Sequence, residues 1–139
     1  MPIFGIPQGG PVRHNILEEL VRYSSERVLC NNPQHAFSIL EVGSFEGQSA
    51  LIWAGALSTY CAQGGSLMCV DPWKPYHTRE MIAAGAAYAD MDAGLQDGSV
   101  YERFVSNISA APANVSVLSR RGTLSDIFSQ LTEDSFDIV

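Results

Sequence analysis

Ile39-Leu40-Glu41-Val42-Gly43-Ser44-Phe45-Glu46-Gly47-Gln48-Ser49-Ala50, followed by Ser66-Leu67-Met68-Cys69-Val70-Asp71-Pro72-Trp73, decides the fold of this chain. The first segment runs an apolar strand into a glycine loop and then a helix. The second is another apolar strand that ends in an acid. Near-continuous apolar runs of this length suit parallel strands covered on both faces. In that order the pieces build a nucleoside pocket at the carboxyl ends of the first two strands of a parallel α/β sheet. Gly43 and Gly47 let the backbone come close to a ligand, and a helix beginning near Gln48 aims free N–H groups at it. The carboxylate of Asp71 is then placed to take both hydroxyls of a ribose.

Outward from this stretch the chain divides cleanly. Met1 to Val12, with three prolines and three glycines, reads as an irregular arm. Ile16, Leu17, Leu20, Val21 and Val28 recur at helical spacing and predict a helix from His14 to about Leu29, stopped by Asn31-Asn32-Pro33. Phe37 to Val42 is the first strand, Gln48 to about Ala62 a helix closed by Gly64-Gly65, and Leu67 to Val70 the second strand. Lys74 to Ser99 is harder to read. It contains an alanine-rich helical piece from Arg79 to Asp92 and the turn Gln96-Asp97-Gly98. Ser99-Val100-Tyr101-Glu102 has the spacing of a capping box and opens a helix through about Ala110, with Phe104, Val105 and Ile108 toward the core. Val115 to Leu118 is a third strand, Arg120-Arg121-Gly122 a loop, and Thr123-Leu124-Ser125-Asp126 the start of a helix whose apolar face is Leu124, Ile127, Phe128 and Leu131. Phe136-Asp137-Ile138-Val139 begins a fourth strand.

This alternation predicts an α/β fold on a parallel sheet with helices on both faces. Residues 1–37 form an arm and helix, and residues 38–139 the ligand-binding core. A strand that starts at Phe136 would normally run on to its functional end, so the chain reads as the N-terminal part of a longer domain.

Composition narrows the field. The chain has 139 residues, 46% of them apolar and 17% charged, which suits a folded globular protein. Its formal net charge of −7 argues against nucleic acid as a partner, because a phosphate backbone needs a basic face. No apolar run approaches the roughly 20 residues of a membrane span. Cys30, Cys61 and Cys69 are odd in number and lack C-x-x-C spacing, as in a cytoplasmic chain with reduced cysteines. His14, His35 and His77 show no metal spacing and read as surface or loop histidines. His77 alone is worth following, since the loop after Asp71 can line a cavity. Asp90 and Asp92 read as a solvated helix face, and Trp53 as a core residue. No metal site is expected.

The residues from Ser38 to Val139 resemble a known family. Ile39 to Ala50 is similar to the first motif of class I S-adenosylmethionine-dependent methyltransferases, and more narrowly to the small-molecule O-methyltransferase-like group (methyltransferase family 24-like), whose loop reads E-[IV]-G-S-x-x-G-x-S. Val70-Asp71-Pro72-Trp73, Tyr101-Glu102-Arg103-Phe104-Val105-Ser106-Asn107-Ile108 and Ser135-Phe136-Asp137-Ile138-Val139 agree with it in order and spacing. The resemblance implies a Rossmann-like sheet, cut after the start of the fourth strand, and S-adenosyl-L-methionine as cofactor. Glu41 would face the amino group of the methionine moiety. Gly43 and Gly47 would allow close backbone passage, and Ser44 and Ser49 would bind the carboxylate. Asp71 would hold the ribose, with Pro72 and Trp73 bordering the adenine and Gly122 and Thr123 closing over its far edge. Many relatives carry an acid in that last loop to take the adenine amino group. Here the acid, Asp126, comes one helical turn later.

The resemblance implies methyl transfer to a small-molecule acceptor, at oxygen, by in-line displacement. Metal-dependent relatives take their metal ligands from the loop after the fourth strand and beyond, so no catalytic residue is named and the chain alone is expected to turn over poorly. Phe4, Ile6, Tyr76, Met81, Tyr88 and Met91 make an apolar or aromatic acceptor, or a sugar on a natural product, the natural fit. Two other readings stay open. One is a degenerate domain of the same type with a binding or structural role. The other is a nicotinamide-dependent oxidoreductase, which would need G-x-G-x-x-G where this chain has Phe45. Homo-oligomerisation is open as well.

Overall fold

Pro11 has no N–H to lose and a φ already suited to a helix, so it opens the first helix, α1, Pro11–Asn31. The helix therefore starts inside the stretch expected to be an irregular arm. This description rests on a computed structural model that covers residues 1–6, 9–131 and 136–139. Pro7 of the arm and Ser135 before the last segment fall outside the described residues.

After α1 come β1 (Ser38–Val42), α2 (Gln48–Tyr60) and β2 (Gly65–Asp71). Two short helices follow, α3 (Arg79–Ala84) and α4 (Ala86–Gln96), then α5 (Ser99–Ile108), β3 (Val115–Arg121) and α6 (Leu124–Ile127), which tightens into a 3₁₀ turn at Phe128–Gln130. The single helical piece expected over Arg79–Asp92 is thus two helices, broken at Gly85, whose extended backbone ends one and starts the other. Arg120 and Arg121 are the end of β3 and not loop, because they pair with Val70 and Asp71.

The three strands form a parallel sheet in the order β1-β2-β3. On the free edge of β1, Ile138 forms a parallel bridge with Ile39, and the Leu40 amide donates to the Ile138 carbonyl at 2.9 Å. The segment read as a fourth strand therefore lies beside β1 as an isolated bridge.

Strand side chains alternate between faces. Ile39, Leu67 and Cys69 point into a large cluster with Val21 of α1, Trp53, Ala54 and Leu57 of α2, and Val100 and Phe104 of α5. Leu40, Met68 and Val70 point the other way, where Ile127 and Leu131 cover them. Trp53 is a core residue as expected. α5 turns differently from its sequence reading: Val100, Phe104 and Asn107 face inward, while Val105 is exposed. The cap differs too. Gly98 is the N-cap in the left-handed region, with no side-chain cap. Asp97 Oδ1 instead accepts from the Ser99 amide at 2.8 Å. A true capping box forms at α6, between Thr123 and Asp126.

Candidate functional site

β1 and β2 end side by side, with Val42 opposite Val70, and this brings Glu41, Gly43 and Asp71 to one edge of the sheet. The loop between β1 and α2 is shaped by Asp71. Its Oδ2 accepts from the Phe45 amide at 3.0 Å, and its Oδ1 from the Trp73 amide at 2.7 Å. Trp73 Nε1 donates in turn to the Phe45 carbonyl at 2.7 Å. Phe45 and Trp73 are the two non-glycine residues with positive φ among those described, at 47° and 43°. Each such conformation costs of order 1–3 kcal/mol and persists only where the surroundings hold it. One carboxylate holds both. Trp73 is thereby turned into the core, packed on Phe104 and Tyr101 with ring centroids 4.6 and 4.9 Å away.

The loop is braced from behind as well. Glu46, fully buried, accepts from Arg103 Nε of α5 at 2.6 Å and from the Gly5 amide at 2.7 Å. Asn107 donates to the Glu46 carbonyl at 3.0 Å and exchanges two 2.8 Å hydrogen bonds with the backbone of Ile3. The N-terminal arm is thus tied to the back of the glycine loop. Gly47, φ 84°, ends the loop and caps α2; a Cβ there would stand 3.1 Å from Phe104, so it is a packing glycine.

The front of the loop is different. Gly43 has φ 86°, and a Cβ there would meet nothing within 4 Å. Beside it Glu41 is 8% exposed, and its Oε2 has no hydrogen-bond partner. Burial pushes its carboxyl up from the ordinary value. Ser49, Ser44, Cys69 and Trp53 around it pull it partly back. The Cys69 thiol is itself held well above the usual range, by burial first and by the Glu41 charge second, so it is an inert packing group.

Three cavities line this edge. One of about 170 Å³ is bordered by Glu41, Gly43, Ser49, Trp53, Leu17 and Arg13. A second, about 250 Å³, lies against Gly43, Phe45, Asp71, Pro72, Tyr76 and Met91. The third, about 310 Å³, is bordered by Pro72, Lys74, Arg121, Gly122, Thr123 and Asp126. Gly43 is shared by the first two and Pro72 by the last two, so the cavities form a row across the ends of β1, β2 and β3. A larger, shallower groove of about 470 Å³ runs along the outer face of α1. Its cation, Arg22, is already paired with Glu19 and Glu26, and no buried polar group converges on it.

Of the residues singled out in the sequence, Glu41, Gly43, Ser49, Asp71, Pro72, Gly122 and Thr123 border this row. Ser44, Gly47 and Trp73 border none of the three cavities. The Ser44 hydroxyl is buried and without a partner. Arg13, Tyr76 and Met91 border the row from α1, the loop after β2 and α4. Tyr76 and Met91 were legible only as apolar residues of the insertion. Arg13 carried no signal, because its neighbours in space lie some thirty residues away along the chain.

His35 is a partly exposed loop histidine as read, and His77 is in a loop but its side chain is buried. His35 Nε2 lies 2.9 and 3.0 Å from the two oxygens of Asp137, which also accepts from the Ser38 amide at 2.8 Å. The His77 side chain is 1% exposed, with Nδ1 3.5 Å from Asp92 Oδ1 and its ring against Tyr76 and Tyr88. Asp92 is therefore a buried acid. Its other oxygen accepts from Gln96 at 2.5 Å. Among the described residues no group of three His, Cys, Asp or Glu could hold a metal ion, and no helix is long and apolar enough to cross a membrane.

No family model matches the chain, and no curated protein matches it.

Proposed function

We propose that the chain binds S-adenosyl-L-methionine along this row of cavities, in a Rossmann-like class I methyltransferase fold, and serves methyl transfer to the oxygen of a small-molecule acceptor. The observation that carries the reading is the row itself: three neighbouring cavities that share Gly43 and Pro72 as borders, with a buried unpartnered acid at the end of β1 and a second acid at the end of β2. A long ligand with a cationic end and a nucleoside end fits that order. The open space beside Gly43 is where its middle passes closest to the backbone.

Glu41 Oε2 accepts from the ligand's ammonium, which gives the buried carboxylate the partner it lacks. Asp71 spends one lone pair of each oxygen on the loop and keeps the others for ribose hydroxyls. Pro72, Gly122 and Thr123 border the base. Asp126, whose Oδ2 accepts from the Thr123 amide and hydroxyl at 2.8 and 2.7 Å, borders the same cavity and is the acid available to an adenine amino group. Tyr76, Met91 and Leu95 close the middle cavity with an apolar wall against water. When bound, the cofactor supplies a methyl group on sulfonium sulfur, an activated leaving group, so the chain's task is alignment.

Calorimetric titration of S-adenosylhomocysteine tests the reading. Saturable one-to-one binding, weakened at least about tenfold by Asp71→Asn, is expected. A folded chain that binds neither this nucleoside nor the methylated cofactor would overturn it.

A further inference from the structure

The middle cavity has one wall that is only lightly attached. Gly43, Phe45, Asp71 and Pro72 border it from the sheet edge; Tyr76 borders it from the loop after β2, and Met91 and Leu95 from α4. α3 buries none of its residues and α4 only Asp92, Gly94 and Leu95, so little apolar packing holds this second wall in place. Next in sequence to Tyr76 and Met91 stand His77 and Asp92. Their side chains meet, with Nδ1 3.5 Å from Oδ1 and the His77 side chain 1% exposed.

Three polar atoms are stranded at that meeting point. Both His77 nitrogens and Asp92 Oδ1 are buried without a hydrogen-bond partner, while the other carboxylate oxygen accepts from Gln96. Beside a neutral imidazole the buried carboxylate has no counter-charge, which is costly away from water. One proton on the imidazole puts a positive charge 3.5 Å from Oδ1 and makes the pair neutral as a unit. The rings of Tyr76 and Tyr88, with centroids 4.2 and 5.7 Å from that of His77, favour the cation through their negative faces. Both are phenols, a class that keeps its proton to about pH 10. Other charges near this wall have partners of their own. Asp71, at the end of β2, acts on Tyr76 and holds two backbone amides. Arg103 of α5 lies beside Gly94 of α4 and is paired with Glu46.

We propose that His77 and Asp92 form a proton-operated latch that fixes the wall of the middle cavity. With the imidazole protonated, the loop after β2 and α4 are held together, and Tyr76 and Met91 with them. As the proton leaves, the buried carboxylate loses its counter-charge and the wall loosens. Histidine suits this task, since its charge ordinarily changes between about pH 5 and 8. The closed wall holds the proton that the open one releases, so closure is favoured at low pH and is lost as pH rises. The latch acts on the shape of the cavity and does not depend on which ligand fills it.

Amide hydrogen exchange of the labelled full chain, followed from about pH 5.5 to 8 and corrected for intrinsic rates, tests the latch without a ligand. Protection of the α4 amides is expected to fall by about tenfold or more as pH rises, in step with the titration of the His77 ring signals. Protection of the α2 amides should change by less than about twofold. Asp92→Asn keeps an acceptor for Gln96 and removes the charge; His77→Phe keeps a ring against Tyr76 and Tyr88 and removes both nitrogens. Each should abolish the pH dependence in α4. Flat α4 protection in the wild-type chain, or a fall that persists in either variant, would overturn the latch. An equal fall in α2 would assign the effect to the whole fold and overturn it too. Should the variants not fold, the wild-type data decide: an α4 response that does not track the His77 ring rejects the proposal. S-adenosylhomocysteine enters none of these measurements, so the latch and the cofactor reading fail separately.

Discussion

The two sides of the glycine loop are built on opposite plans. Behind it, most polar groups are engaged, the Ser44 hydroxyl excepted: Asp71 holds two backbone amides, Glu46 holds Arg103 and the arm, and Asn107 ties both together. In front, Glu41 Oε2 lacks a partner among the described residues, and Gly43 faces open space. Buried polar groups in folded proteins are nearly always satisfied, so an unsatisfied one calls for an explanation. Here the satisfied side holds a strained loop in shape, and the unsatisfied side is where the proposed ligand would complete the set. The two acids thus differ: Asp71 works as a clamp, and Glu41 keeps an oxygen without a partner.

Breaking the clamp should have the largest effect. Asp71→Ala removes the acceptor of two amides and releases two residues held at positive φ, so it should lower unfolding stability by about 3 kcal/mol. Urea denaturation measures this, and a loss under about 1 kcal/mol would show that the clamp holds little. A change at the front should act on binding instead. Gly43→Ala should cost only about 1 kcal/mol of stability, since its Cβ meets nothing and the penalty is the left-handed backbone. The same change should weaken S-adenosylhomocysteine more than about tenfold. If stability suffered and binding did not, the front of the loop would not be the ligand's path.

The smallest effect is expected at Glu41, and it depends on pH. The folded-state pKa of Glu41 lies above the ordinary 4.5 because burial disfavours its charge. Between those two values the folded chain binds more protons than the unfolded one, so stability falls as pH rises. The favourable contribution is complete below about 4.5 and is lost as pH passes the folded value. Glu41→Gln should flatten that decline and leave stability at neutral pH equal to or above wild type, as thermal melts from pH 4 to 8 would show. A variant that steepened the decline would mean that the carboxylate is partnered after all.

Much of this was legible from sequence because it is local. Apolar runs ending in glycine or acid marked β1 and β2, and their parallel pairing fixes which side chains reach the shared edge. What escaped depends on partners far along the chain. Asn107 is a polar residue that sequence places outside, yet Ile3, more than a hundred residues away, and Glu46 draw it into the core in place of Val105. Asp92 read as solvated because nothing in its own helix shows that His77 lies over it. The resemblance places Trp73 beside a ligand, but a positive φ set by the Asp71 clamp turns it inward.

The most direct measurement is a proton–nitrogen correlation spectrum of the labelled chain during titration with S-adenosylhomocysteine. Amides of Gly43, Ser49, Gly122 and Thr123, along the front of the row, should shift in a saturable way. Those of Phe45 and Trp73 should stay protected from exchange with and without ligand. Shifts confined to the outer face of α1, or none at ligand saturation of a folded chain, would contradict the account.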